Sequence, residues 1–407
     1  MKSAHVSHAQ PNGPPTAEPE PGPTPSQDVQ GLTFRVRGVP ADWDIIRLKS
    51  LLAHQFDSAG PTISSLALEI HGRSRTATVS FRSVPPPLRT SPTAGSWLVP
   101  LPSTPNLHTG PQSLSLDDGF FGVTTLFAPP LEHHKVDIIA ISGLGGHAFG
   151  SFKQRGGEHM WLRDALPHHI THVTQEGDHK PCSRVIIYGY DSSLPQSRSA
   201  QNLEDLATSF HNSLLDLMSA ANPKPIIFIA HSLGGLILKQ YLISLSKSSS
   251  DDCQKFLRAV YGVAFFGVPH DGMDIESLIP MVGNGPNRSL LECVGDTSSP
   301  ILNIQRRDFN KTLGSEGESE VICFYETLKS PTAKKDTNGL WAMGGPPALL
   351  VTKASATHCR PWEDDEEHIC ALNRTHSDIV KFAPQDEEYD KVLARVRVVV
   401  QHALAIR

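Results

Sequence analysis

Residues 225–240 read PIIFIAHSLGGLILKQ, and this run constrains the chain more than any other. Four apolar residues, Ile226, Ile227, Phe228 and Ile229, lead into Ala230-His231-Ser232-Leu233-Gly234-Gly235, and an apolar helical pattern follows at once. A strand that turns into a helix over a serine is the setting of a G-x-S-x-G nucleophile elbow. The turn strains the serine backbone, so small residues must stand two positions before and after it. Here they are Ala230 and Gly234, with Gly235 letting the helix pack close to the strand. Ala230 stands where glycine is usual and is the smallest replacement available. The run predicts a nucleophile at Ser232.

A second strand-to-loop passage lies upstream, from Val136 through Ile141 into Ser142-Gly143-Leu144-Gly145-Gly146-His147. In hydrolases built on the elbow, one oxyanion-hole amide belongs to the residue after the nucleophile, and the other comes from the loop after an earlier strand. Leu233 and Leu144 are the matching positions, acting through backbone N–H. Glycine lets that loop approach a substrate closely. Ser142 stands where such loops usually carry histidine. The glycines fall at 143, 145, 146 and 150, which is not the G-x-G-x-x-G spacing of a dinucleotide loop.

A serine nucleophile needs a base, and in this design the chain order is Ser, acid, His. Among 20 histidines, His376 sits in a loop just before the last apolar helical pattern, where the base is expected; His358 and His368 are its rivals. For the acid, the buried-looking strand Val321–Tyr325 ends in Glu326. Its role would be to fix the imidazole tautomer and stabilise the imidazolium. Asp274, following the strand Val260–Gly267, is the alternative, with Asp271 behind it.

With these residues in place, the run from about Asp117 to Leu393 resembles the serine-esterase hydrolases typified by the "serine active site containing" proteins, GPI inositol-deacylases and DUF676-type lipases. It is most like the version at the N-terminus of fungal NLR-type receptors. The matching stretches are SGLGGHAFGSFK, MWLRDALP, RVIIYGYDSSL, PIIFIAHSLGGLILKQYL, VAFFGVPHDGMD, FYETL and NRTHSDIVKF, in that order. The resemblance implies an α/β-hydrolase fold, lipid or other carboxylic esters as substrates, Ser232 as nucleophile, His376 as base and Glu326 as acid. Ala230 and the long stretch between Leu328 and His376 depart from the family pattern.

Composition bounds the rest. A formal charge of −6 over 407 residues offers no basic field for nucleic acid. The acidic run Glu363–Glu367 reads as a solvated loop. Six cysteines without C-x-x-C or metal spacing fit reduced thiols better than a disulfide framework. No apolar run approaches the ~20 residues of a membrane span. The N-terminus lacks a signal-peptide core, so a cytoplasmic protein is expected, with peripheral membrane contact open. No metal or organic cofactor is expected.

Residues 1–30, rich in proline, glycine, serine and alanine, read as a disordered tail. Residues 31–85 read strand, helix, strand, strand, reminiscent of half an RNA-recognition motif. Such modules stack bases on aromatic side chains, yet Arg35, Thr76 and Thr78 occupy the positions that would need them. A small αβ accessory or protein-docking unit is therefore expected, followed by a linker over 86–115. From 116 to 407, strands at Val136–Ile141, Val185–Tyr188, Ile226–Ile229, Val260–Phe266, Val321–Tyr325 and Leu349–Thr352 alternate with helical patterns, which predicts a mostly parallel sheet covered on both faces. Residues 273–312 interrupt that pattern and read as part of a lid. The expected activity is ester hydrolysis through an acyl-enzyme. The alternative is a signalling or protein-binding module with little turnover.

Overall fold

The computed structural model describes residues 32–405 other than 57–59, 91–94, 103–112, 195–196, 198, 277, 296–298, 315–318 and 338–340. The expected N-terminal tail lies outside the described residues. The first sheet holds β1 (Thr33–Pro40), β2 (Pro61–Leu68), β3 (Ser74–Phe81), β4 (Trp97–Pro100) and β5 (Ser113–Asp117), in the order β2-β3-β1-β5-β4. Every pair in it is antiparallel. The helix Ile45–Gln55, capped by the Asp44 carboxylate on the Arg47 amide, lays Leu48 and Leu52 on its apolar face. Phe34, Val36, Ala77, Val79, Leu114 and Leu116 face that helix. The expected linker is thus corrected: β4 and β5 fall within or across 86–115 and extend the sheet. Their short alternations, Trp97/Val99 and Leu114/Leu116, are overshadowed by the proline and serine around them.

The opposite face of this small sheet is polar yet closed. Arg35, Thr76 and Thr78 are buried there, against β6 (Gly122–Phe127). The Arg35 guanidinium donates to Asp117 (2.8 Å), the Phe121 carbonyl (2.9 Å) and Thr124 Oγ1 (2.7 Å). Thr125 donates to Glu69, and Arg163 reaches Thr78 Oγ1. The face on which an RNA-recognition motif would stack bases is occupied by the rest of the chain.

β6 is also the antiparallel edge of the second, seven-stranded sheet. After β7 (Val136–Ile141), a hairpin of β8 (Thr171–Val173) and β9 (His179–Pro181) precedes β10 (Ser183–Gly189). Then come β11 (Ile226–His231), β12 (Val260–Phe266) and β13 (Glu320–Glu326). A second hairpin, β14 (Ser330–Lys335) with β15 (Trp341–Ala348), precedes β16 (Ile369–Leu372). The order is β16-β13-β12-β11-β7-β10-β6, parallel throughout except at β6. Both faces are covered, so the central strands read as continuous apolar runs. Ile139, Ile141, Phe228, Ala230 and Phe265 fill one core, under the helices Leu203–Ser213 and Leu233–Ser246. Ile138, Ile227, Ile229 and Phe266 fill the other, under the closing helix Glu387–Ala405. This is an α/β-hydrolase sheet, with the serine elbow following the central strand β11.

Two further expectations are corrected. Leu349–Thr352 is not a strand; it bends, and β16 takes the outermost sheet position instead. The Leu350 and Val351 amides are committed to the Glu326 carboxylate rather than to a ladder. Within the acidic run, Glu363 is buried, accepting from the Val321 amide at 3.0 Å and pairing with Arg360 at 3.1 Å. Its burial pushes the carboxyl up to about 7. The residues after it are exposed. The segment 273–312 carries the helices Ile279–Val282, Arg288–Gly295 and Pro300–Phe309. Among the described residues, no helix is long and apolar enough to cross a membrane.

Candidate active site

Four strands of the large sheet end at one place, as parallel sheets do where they bind ligands. β11 ends in His231, and Ser232 follows at φ 50°, ψ −126°, outside the helical and extended regions and ahead of the helix Leu233–Ser246. A non-glycine residue held there is strained by roughly 1–3 kcal/mol. The strain is maintained by surrounding contacts, including the Ser232 amide donating to the Phe266 carbonyl at 3.0 Å. Ala230 is completely buried between β7 and β12, so the departure from glycine is accommodated.

Ser232 Oγ lies 3.0 Å from His376 Nε2. His376 Nδ1 lies 2.6 Å from Glu326 Oε2, at the end of β13. The other carboxylate oxygen of Glu326 accepts the Leu350 and Val351 amides, each at 3.2 Å. A glutamate held by two amides on one oxygen presents the other to the imidazole. The His376 amide donates to Ser330 Oγ at 2.9 Å, which sets the loop between β16 and the closing helix. The rivals lie elsewhere. Asp274 is exposed and caps the Glu276 amide. Asp271 is engaged with Arg306 at 2.7 Å and with His358. His368 pairs with Asp365 at 2.7 Å.

The glycine loop after β7 closes the site. A Cβ on Gly143 would stand 2.7 Å from Ser232 Cβ, so the loop touches the elbow only because that residue is glycine. The loop is fixed by Tyr190 Oη donating to the Ser142 carbonyl at 3.1 Å and by the Gly145 amide donating to the Ser192 carbonyl at 2.7 Å. Among the described residues, the Leu144 and Leu233 amides donate to no other protein group. They are left available for a substrate oxygen.

Sequence reasoning missed two contributors. Gly267, at φ +53° after β12, leaves room for the pair: a Cβ there would meet His376 Nδ1 at 3.1 Å and Glu326 Oε2 at 3.2 Å. Its signal was present, a glycine ending an apolar strand. His231, beside the serine, donates from Nε2 to the His376 carbonyl at 2.9 Å. Burial, then the neighbouring His376, lowers its pKa to about 3, so the ring is neutral.

No protein-family profile matches the chain. The chain is similar to human Protein SERAC1, at 28% identity over 204 residues, which is 48% of this chain and 30% of that protein. It is similar to mouse Protein SERAC1 at 30% identity over 146 residues, 34% of this chain and 22% of that protein. The chain thus spans less than a third of the length of these curated relatives. Two solved structures are also similar. One is the peroxisomal alpha-beta-hydrolase Lpx1 of Saccharomyces cerevisiae, with a TM-score of 0.39 and 10% identity, covering 76% of this chain and 88% of that one. The other is the phospholipase PlaB of Legionella pneumophila, with a TM-score of 0.38 and 13% identity, covering 55% of this chain and 45% of that one. The α/β-hydrolase assignment rests on this chain's own strand order and elbow.

Proposed function

We propose that the chain is a serine hydrolase that cleaves carboxylic esters, with lipid or other acyl esters as the substrate class. The observation that carries this reading is the line Ser232 Oγ–His376–Glu326, 3.0 and 2.6 Å, set on a strained elbow. Ser232 Oγ attacks the ester carbonyl carbon while His376 Nε2 takes its proton. The carbonyl oxygen gains the negative charge and is met by the Leu144 and Leu233 amides; losing one such donor costs about 3 kcal/mol. His376 then returns the proton to the leaving alkoxide. Water, deprotonated by the same nitrogen, attacks the acyl-enzyme and frees Ser232. Glu326 holds the tautomer.

An apolar segment in the same core as Leu144 supports acyl esters as the substrate class. Met273, Ile275, Leu278, Val282 and Leu291 belong to one apolar cluster with Leu144 and Leu194 packed against it. Asn287 anchors that segment by donating to the Ser193 and Leu194 carbonyls at 3.0 and 3.1 Å. Ser232 is only 3% exposed. Ile301, Ile304, Leu328, Met343 and Leu349 are exposed apolar side chains on this segment and on and around the β14–β15 hairpin, and they suit peripheral contact with a lipid surface. The buried nucleophile also suits the second reading, a binding module with little turnover.

Fluorophosphonate labelling read by intact mass separates the two. A single adduct on the wild type, absent in Ser232→Ala and slow in His376→Ala, is the result expected. A folded wild type that stays unlabelled in mixed detergent–lipid micelles would leave the binding module as the better reading.

A further inference from the structure

A second buried polar cluster lies under the acid-bearing strand, and the hydrolase reading makes no use of it. Lys239, on the helix that follows Ser232, is completely buried and reaches His270 Nδ1 at 3.2 Å. His270 is itself completely buried on the loop after β12. Cys323, in the middle of β13, and Cys359, just after the helix Lys353–Thr357, complete the group. One ring nitrogen of His270 and the two sulfurs all lie within 4.8 Å of one another. With Nδ1 engaged by Lys239, the other nitrogen, Nε2, is buried and has no hydrogen-bond partner among the described residues. An orphaned buried imidazole nitrogen is costly unless something meets it.

We propose that His270, Cys323 and Cys359 form a site for a soft, thiophilic d10 cation, Zn2+ or Cu+. An ion at the centre of a triangle with sides no longer than 4.8 Å lies at most about 2.8 Å from each corner. Small inward shifts then give ordinary bonds of about 2.3 Å to sulfur and about 2.0 Å to nitrogen. Two thiolates and an imidazole select such cations over Mg2+ or Ca2+. To ligate through Nε2, His270 carries its proton on Nδ1, and Lys239 meets it as a neutral amine that accepts that N–H, the role that partners of metal-bound histidines commonly play. With two thiolates and a neutral Lys239, Zn2+ leaves the site without net charge, whereas Cu+ leaves one negative charge.

The site would act as a staple. Cys323 stands three residues before Glu326, and Cys359 closes the segment whose Leu350 and Val351 amides hold that carboxylate. His270 adds the loop after β12. One ion would tie together three segments that are distant in sequence, and its binding free energy would become folding free energy.

The test uses the full chain, purified without nickel and analysed for metals. A single equivalent of zinc or of copper is expected, the analysis itself deciding between them. Chelator should lower the melting temperature of the wild type, and Co2+ added to the stripped protein should give a near-ultraviolet thiolate charge-transfer band. Cys323→Ser and Cys359→Ser should lose both metal and band, and His270→Gln should weaken binding. Cys370→Ser, outside the cluster, should keep them. Because the buried variants can fail to fold, circular dichroism accompanies each, and the stripping arm on the wild type stands without them. A folded wild type that takes up no Zn2+, Cu+ or Co2+ after refolding in their presence overturns the proposal. So does a metal-free protein whose peptides show Cys323 joined to Cys359 by a disulfide.

Discussion

Two buried polar assemblies stand on the large sheet, one at its edge strand β6 and one at the ends of β11 and β13, and they are built on different terms. At the edge strand β6, Arg35 gives three hydrogen bonds to Asp117, Phe121 and Thr124, and the second oxygen of Asp117 accepts the Phe120 amide. Charge meets charge and the named donors are used. At the strand ends, Ser232, His376 and Glu326 are just as buried, but the Leu144 and Leu233 amides stay open beside a strained serine. A paired Arg35–Asp117 contributes to folding; a cluster with donors kept open has something left to bind. The seam joins the small sheet to the large one, and the proposed triad sits where strands β11 and β13 end.

The largest effect expected from breaking this contrast is at Ser232. Ser232→Ala should lower ester hydrolysis by about 10⁶-fold, as removal of a triad nucleophile does elsewhere. It should leave the denaturation midpoint equal or higher, since the strained serine makes few contacts that fix the fold. A variant that retains appreciable turnover would remove Ser232 from the mechanism. Glu326→Gln comes next. It keeps the shape and offers an amide to His376 Nδ1, so the tautomer is wrong and kcat should fall by about 10⁴-fold with little change in KM. A rise in KM with a loss of stability and an unchanged kcat would instead confine Glu326 to anchoring residues 350–351.

The seam predicts the reverse pattern. Arg35→Ala leaves Asp117 buried and unpaired, which should cost about 3–5 kcal/mol of stability. Chemical denaturation measures it, with kcat per folded molecule unchanged. If Asp117→Asn in the same background recovers most of the loss, the unpaired charge is the cause. If activity falls along with stability, the two assemblies are coupled.

How much of each was legible in the sequence follows from how it is spelled. The triad sits in contiguous signals: a strand running into a serine turn, a strand ending in Glu326, a histidine ahead of the last helix. β7 and β12 match their expected spans residue for residue. The seam has no such spelling, since Arg35, Asp117, Thr124 and Arg163 are scattered and meet only once both sheets exist. Arg35 could be read only as unsuited to stacking bases, and what covered it was invisible. The strand at Leu349–Thr352 failed for a related reason. A short apolar run looks alike whether its amides join a ladder or hold a carboxylate. Glu363 misled because a run of acids reads as solvated even when one member turns inward to Arg360. The His270, Cys323 and Cys359 cluster was similarly hidden, its members spread over three segments with no metal-like spacing.

The smallest expected effect concerns acid, and it arises at the triad. His231 is neutral when folded, with its pKa held near 3, whereas in the unfolded chain it titrates near 6.5. Between those values the unfolded chain takes up a proton that the folded one refuses. Stability therefore falls as pH drops below about 6.5, by up to about 1.4 kcal/mol per unit, and is unaffected by this group above it. Buried His270 is shifted the same way and adds to the slope. His231→Gln keeps an N–H for the His376 carbonyl while removing the titration. Urea denaturation at a series of pH values from about 7 to about 4 should then show a shallower loss for the variant. An unchanged slope would mean that the ring beside the nucleophile accepts its proton in the folded state. The strand ends would then be as open to solvent ions as the seam is closed to them.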